Sequence, residues 1–151
     1  MEIKTDPLTH PQVLELLQQH LNDMNSNSPE ESVHALDVSG LKHPSVTFWT
    51  VWEDEQLLGC GALKQLDQHH GEIKSMRTTA LARKQGVASK LLEHIIEHAK
   101  GEGYQRLSLE TGSMAFFSPA HRLYHRYRFN ECEPFGDYQL DPYSLFMTRE
   151  L

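Results

Sequence analysis

Seven consecutive residues, Arg83-Lys84-Gln85-Gly86-Val87-Ala88-Ser89, join a strand-like segment to a helix-like one. The first-turn N–H groups of a helix have no internal partners, and the helix dipole adds partial positive charge there. Such a terminus is an anion site, and phosphate is its usual occupant. Gly86 leaves room for close approach to the backbone, while Arg83 and Lys84 add charge and donors. A plain strand–loop–helix connection with solvated basic residues would look the same by spacing alone, so both readings stand at this point.

Other constellations compete. His94-Ile95-Ile96-Glu97-His98 spells H-x-x-E-H, an inverted zinc-protease pattern. Ile95 and Ile96 belong to an apolar stripe, which predicts that Glu97 and His94 face solvent, and no third ligand is evident. His69-His70 reads as a solvated turn before a strand. Cys60 lies in an apolar strand, where a thiol is usually inert. No G-x-S-x-G elbow and no Walker loop occur. Gly59-Cys60-Gly61 begins a G-x-G-x-x-G, but Lys64 replaces the third glycine and no helix follows, so Gly59 and Gly61 read as close-packing or bulge positions.

The elements that must carry these residues follow from periodicity. Thr9 and Gln12 form a capping-box pair ahead of Val13, Leu14, Leu16, Leu17 and Leu21, predicting a first helix. Asn22 to Ser28 reads as a loop. Ser28-Pro29-Glu30-Glu31 opens a second, short helix to about Leu36. Val46–Trp52 and Leu57–Leu63 make a hairpin around a polar turn, with Trp49 a core residue, and a third strand runs from about Glu72 to Thr78. Gly86 to about Lys100 is a long helix with Val87, Ala88, Leu91, Leu92, Ile95, Ile96 and Ala99 on one stripe. A strand over Arg106–Thr111, a helix from Ser118-Pro119 to about Tyr127 and a strand over Tyr143–Thr148 complete the order β-α-α-β-β-β-α-β-α-β, with a further strand near Asn130. This is a mixed α/β sheet in one layered domain.

Composition bounds the rest. The chain has 151 residues, 14 basic against 21 acidic, for a net charge of −7. That length suits one domain, and the acidic balance argues against a nucleic-acid binder while mildly favouring a cationic substrate. Two cysteines outside any C-x-x-C pair read as reduced thiols, which fits a cytoplasmic setting. Met1 to Pro7 has no apolar signal-peptide region, and no apolar run reaches membrane-spanning length.

Ile73-Lys74-Ser75-Met76-Arg77-Thr78, Arg83 to Ala88 and Leu91-Leu92 together resemble motif A of the GNAT N-acetyltransferase superfamily, with its [QR]-x-x-G-x-[GA] signature between strand and helix. Leu123-Tyr124-His125-Arg126-Tyr127-Arg128-Phe129 resembles its downstream L-Y-x-x-x-G-F element, and Leu109-Glu110-Thr111-Gly112 falls between them as in small bacterial members. The ordered set covers about Val46 to Leu151. The resemblance implies a GNAT-like fold over residues 1–151 as a single domain: a mixed, mostly antiparallel sheet with helices on both faces, splayed between its central strands.

It also implies an enzyme that moves an acetyl group from acetyl-CoA, with no metal, to a primary amine of a small molecule or peptide by direct attack in a ternary complex. Met76, Arg77 and Thr78 would hold the pantetheine arm through their backbone. Arg83, Lys84, Gln85, Gly86, Val87, Ala88 and Ser89 would hold the pyrophosphate. Tyr124 would serve the leaving thiolate. Glu72 matches the family position for the base that deprotonates the amine, with Glu110 and His121 as further candidates. Arg128 stands where the family has glycine at a left-handed helix end, Lys84 where it often has glycine, and Phe117 where many members place a pantetheine-binding asparagine. A homodimer is also implied. A non-catalytic acyl-CoA-binding module is the alternative, and a metallohydrolase on the H-x-x-E-H helix a weaker one.

Overall fold

The computed structural model describes residues 1–151. Seven strands form one sheet: β1 (Glu2–Thr5), β2 (Val46–Glu53), β3 (Gln56–Gln65), β4 (His70–Thr78), β5 (Arg106–Gly112), β6 (Asn130–Glu131) and β7 (Ser144–Glu150). Their spatial order is β1-β2-β3-β4-β5-β7-β6. Every neighbouring pair is antiparallel except β4 and β5, which run parallel. The parallel pair is joined by the crossover helix α3 (Val87–Gly101), as a parallel connection requires.

Helices cover both faces. Trp49, Val51, Leu107 and Leu109 pack with Leu91, Leu92, Ile95 and Ile96 of α3 and with Leu123 and Tyr124 of α4 (Ser118–Arg126). On the other face, Phe48, Trp52, Cys60 and Ala62 pack with Val13, Leu16 and Leu17 of α1 (Pro11–Asn27) and Leu41 of α2 (Val38–Leu41). The alternation of inward side chains along β2 thus feeds two cores, one on each side of the sheet.

The predicted element order holds, but three local expectations do not. His10, not Thr9, caps α1, its Nδ1 accepting from Gln12 N at 3.1 Å. Gln12 reaches instead to the β2–β3 turn, donating to Glu55 O at 2.9 Å and accepting from Leu57 N at 3.1 Å. Tertiary bonds outcompete the local capping box because they also satisfy the turn. Asn22–Ser28 is not a loop: α1 continues to Asn27, braced by an Asn27 side-chain bond to Asp23 O at 2.8 Å and by Asp23 pairing with Arg77 of β4 at 2.5 Å. The second helix is not formed over Ser28–Leu36 either. A 3-10 turn at Glu30–Ser32 is followed by extended chain, and α2 starts only after Asp37, whose Oδ1 accepts from Gly40 N at 2.8 Å. Ser32 is drawn out of a helical course by donating to Asp141 Oδ2 at 2.6 Å.

A bulge in the middle of β4 shapes the site. Cys60 pairs with Arg77 and Ala62 with Lys74, so Gly61 faces two residues, Ser75 and Met76. Ser75 takes φ +57°, a left-handed conformation unfavourable by about 1–2 kcal/mol for a non-glycine residue. Gly59 and Gly61 allow this: a Cβ on Gly59 would press on Arg77 O, and one on Gly61 on the Met76 sulfur. Bulges bend a strand, and β4 pairs with β5 only from His70–Arg106 to Ile73–Leu109. Beyond Ile73 the two strands part, leaving the β5-facing edge of β4 from Lys74 to Thr78 without a strand partner.

Candidate active site

The gap between the parted strands is a cleft of about 130 Å³, lined by Met76 from β4, Glu110 from β5, Tyr124 from α4 and His20 from α1 among others. Phe117 forms part of its wall and fills the space over Gly112 that a Cβ would need.

The N-terminus of α3 lies by the far end of β4: Val87 packs over Gly59, which pairs with Thr78. Lys84 has φ +64° and Gly86 φ +78°, and Gly86 caps the helix without any side-chain bond. The first intrahelical bond runs from Lys90 N to Gly86 O at 3.0 Å, so the amides of Val87, Ala88 and Ser89 have no helical acceptor. A Cβ on Gly86 would meet nothing within 4 Å, so the space in front of these amides is open. Arg83, Lys84 and Gln85 are exposed beside it.

Tyr124 is 5% exposed, packed edge-on against Phe129 at 5.7 Å. Burial alone raises its phenol well above the ordinary tyrosine range. It therefore stays protonated and can act as a donor.

The two carboxylates differ. Glu72 is 3% exposed and its Oε2 accepts from Lys74 Nζ at 3.2 Å and from Tyr138 Oη at 2.5 Å. Lys74 also donates to His34 O at 3.3 Å and to Tyr138 Oη at 3.0 Å. Glu72 does not line the cleft; Glu110 does. Burial pushes the Glu110 carboxyl up to about 7, against the opposing pull of Ser144 and Lys74, with Glu72 and Asp141 adding to the rise. A carboxyl titrating near neutrality is suited to proton transfer. His121 is turned to Gly112 O at 2.7 Å, which fixes α4 on β5.

The H-x-x-E-H helix is arranged for packing. His94, expected on the solvated face, is instead half-buried edge-on to Trp49 at 5.6 Å, with His98 at 5.0 Å. The broad indole on β2 reaches past the isoleucine stripe and takes both imidazoles as its cover. No group of three or more His, Cys, Asp or Glu side chains converges as metal ligands. No helix is long and apolar enough to cross a membrane.

The acetyltransferase (GNAT) family pattern matches residues 12–129. The chain belongs to the GNAT family.

It is similar over its full length to the uncharacterized N-acetyltransferase YsnE of Bacillus subtilis, at 56% identity over 151 residues covering 100% of both chains. It is 54% identical over 149 residues to the uncharacterized N-acetyltransferase YedL of Escherichia coli, covering 99% of this chain and 94% of that one. Its fold matches a GNAT family acetyltransferase from Elizabethkingia anophelis solved with acetyl-CoA bound, with a TM-score of 0.68 at 20% identity, covering 99% of this chain and 97% of the other. This GNAT chain is thus an N-acyltransferase. The segment 12–129 contains the α3 terminus, the β4 bulge, Glu110 and Tyr124.

Four residues at or beside this GNAT cleft escape a sequence reading. Tyr138 comes from the irregular stretch after Cys132, which has no periodicity to read. Lys74 and Ser75 sit inside the strand pattern, and nothing local marks the buried ion pair or the left-handed backbone. His20 did leave a signal: Val13, Leu16, Leu17, His20 and Met24 recur at helical spacing, which puts the imidazole on the buried face of α1.

Proposed function

We propose that this enzyme transfers an acetyl group from acetyl-CoA to a primary amine, of a small molecule or peptide, by direct attack in a ternary complex. The observation that carries the reading is the convergence of Glu110 and Tyr124 on one cleft, at the point where β4 presents an unpartnered edge. The residues fit acetyl-CoA: the open, unpaired amides before α3 suit a pyrophosphate, and the free edge of β4 suits an extended amide-bearing arm.

In this reading Arg83, Lys84, Gln85, Gly86, Val87, Ala88 and Ser89 hold the pyrophosphate. The backbone of Met76, Arg77 and Thr78 holds the pantetheine arm; the Arg77 side chain is itself engaged by Asp23. Bound there, acetyl-CoA supplies an electrophilic thioester carbonyl and a thiol leaving group. Glu110 takes the proton from the amine, whose nitrogen forms the new N–C bond as the C–S bond breaks. The Met76 N–H polarises the carbonyl. Tyr124 gives the departing sulfur its proton or hydrogen bond. Glu72, the first candidate for the base from sequence, is a positioning residue here: it neutralises Lys74 beside the cleft. The free thiols of Cys60 and Cys132 support a cytoplasmic setting.

Calorimetric titration with acetyl-CoA, alongside a Gly86→Glu variant, tests the reading. Micromolar binding lost in the variant, with amine-dependent thiol release that drops in Tyr124→Phe, is the expected result. Binding without turnover of any amine would make the protein an acyl-CoA-binding module. No binding by a folded wild type would overturn the reading.

A further inference from the structure

The wall of the cleft formed by α1 and the β4 bulge holds polar atoms that nothing in the chain satisfies. His20 Nδ1 and Ser75 Oγ are buried without a hydrogen-bond partner, and both residues line the cleft. Arg77 Nε, on the same bulged strand, is buried and unpartnered as well. Buried polar groups are normally paired, and leaving one unpaired costs about 1–3 kcal/mol. Two such atoms on one cleft wall are a cost the fold carries, and Ser75 adds a left-handed backbone to it. Strain and unmet polar groups persist together where a ligand completes them.

The electrostatics of this wall select the ligand. Burial, reinforced by the nearby Arg77 charge, lowers the His20 imidazole to about 4, so it is neutral near pH 7. A neutral imidazole offers one donor and one acceptor, and a serine hydroxyl offers both. The nearby cations are already matched, Arg77 by Asp23 and Lys74 by Glu72 with two further acceptors, and the one carboxyl lining the cleft, Glu110, is engaged by the reacting amine in the reading above. A carboxylate would therefore find both cations already neutralised, with only the Arg77 Nε–H left to meet it, and a second ammonium would meet the positive field of Arg77. A buried charge without a partner is strongly unfavourable. An uncharged group that both donates and accepts fits.

Resting on the acetyl-transfer reading above, we propose that His20 and Ser75 form a recognition subsite for a hydroxyl or carboxamide on the acceptor. The enzyme then prefers amino alcohols or amino amides to plain alkylamines, amino acids and diamines. Met24 and Ala35 border the same cleft and give the carbon chain between the two polar ends an apolar surface.

The test is thiol release with acetyl-CoA and matched acceptors: short amino alcohols and amino amides, the alkylamines of equal length, and the corresponding amino acids and diamines. The expected wild-type result is a preference of about 10- to 100-fold in kcat/KM for the hydroxyl or carboxamide compound over its alkylamine match. That ratio falls towards 1 in Ser75→Ala and in His20→Phe. Ser75→Gly removes the hydroxyl while easing the left-handed backbone, so a collapsed ratio there is lost recognition and not a folding defect. Which of the two compound types is favoured identifies the group. Turnover of amines with no such preference, a preference for the acid or the diamine, or a ratio that survives both His20→Phe and Ser75→Gly overturns the subsite while leaving acetyl transfer intact. Acetyl-CoA binding with no turnover of any amine is the failure of the acetyl-transfer reading, and the subsite falls with it.

Discussion

Tyr138 donates a 2.5 Å hydrogen bond to Glu72 across 66 residues of sequence. The same carboxylate carries the Lys74 ion pair, and the Lys74 ammonium lies 5.7 Å from the Tyr138 ring centroid. Side-chain exposures of 3% for Glu72 and 8% for Lys74 place this group out of water. Removing one partner from a buried pair leaves an uncompensated charge, which typically costs 3–5 kcal/mol, roughly. Glu72→Gln is therefore expected to destabilise the protein by about that amount in urea unfolding, and Tyr138→Phe by about 1–3 kcal/mol. An unchanged midpoint in Glu72→Gln would mean the pair contributes no net stability.

Glu110 and His20 line one cleft but titrate in opposite senses. The folded Glu110 carboxyl lies at about 7 against an ordinary 4.5, so the native state binds the proton more tightly and loses stability as pH rises through that window. His20 lies at about 4 against an ordinary 6.5, so stability is lost as pH falls from 6.5 towards 4. Relative to wild type, Glu110→Gln should gain up to about 3 kcal/mol between pH 4.5 and 7, and His20→Asn a similar amount on going down from pH 6.5. Denaturation curves at several pH values read both slopes; parallel curves for variant and wild type would contradict them.

Activity should follow the same carboxyl. The wild-type kcat/KM is expected to rise with pH through about 7 as Glu110 ionises. Glu110→Gln should lower it by about 10²- to 10⁴-fold and abolish that limb. A steady-state profile that keeps its limb in the variant assigns the proton transfer to another group.

Arg128 ends α4 with φ +69° and is exposed. Arg128→Gly should remove the cost of a left-handed non-glycine, a gain of about 1 kcal/mol. In a chain of this size that is a rise in Tm of about 2–4 °C by calorimetry. A lower Tm would show that the arginine side chain contributes more than the strained turn costs.

Gly112 sits under the Phe117 ring with no room for a methyl group. Gly112→Ala should displace the ring into the cleft, costing about 1–3 kcal/mol of stability and lowering turnover. Wild-type stability and KM in the variant would show that the ring can move aside freely.

The order of elements, the apolar stripe of α3 and the α3 terminus were legible in the sequence, because periodicity, glycine and cap chemistry are local; Tyr124 stood out only through the resemblance to the family motif. The left-handed conformation at Arg128 was implied by the same resemblance, since the family has glycine there. Three boundaries went the other way for one reason: Gln12, Asp23 and Ser32 found better partners far along the chain, on the β2–β3 turn, Arg77 and Asp141. His94 looked solvated because an apolar stripe says which residues are inside, not how far a neighbouring indole extends. The fold alone decided which carboxylate faces the cleft. Glu72 and Glu110 are both strand residues with nothing local to separate them. The bulge at Ser75 parts β4 from β5, and Tyr138, brought in by a stretch with no pattern, hydrogen-bonds Glu72 away from the cleft lining. Burial and pairing are sums over distant neighbours, and those only the tertiary structure supplies.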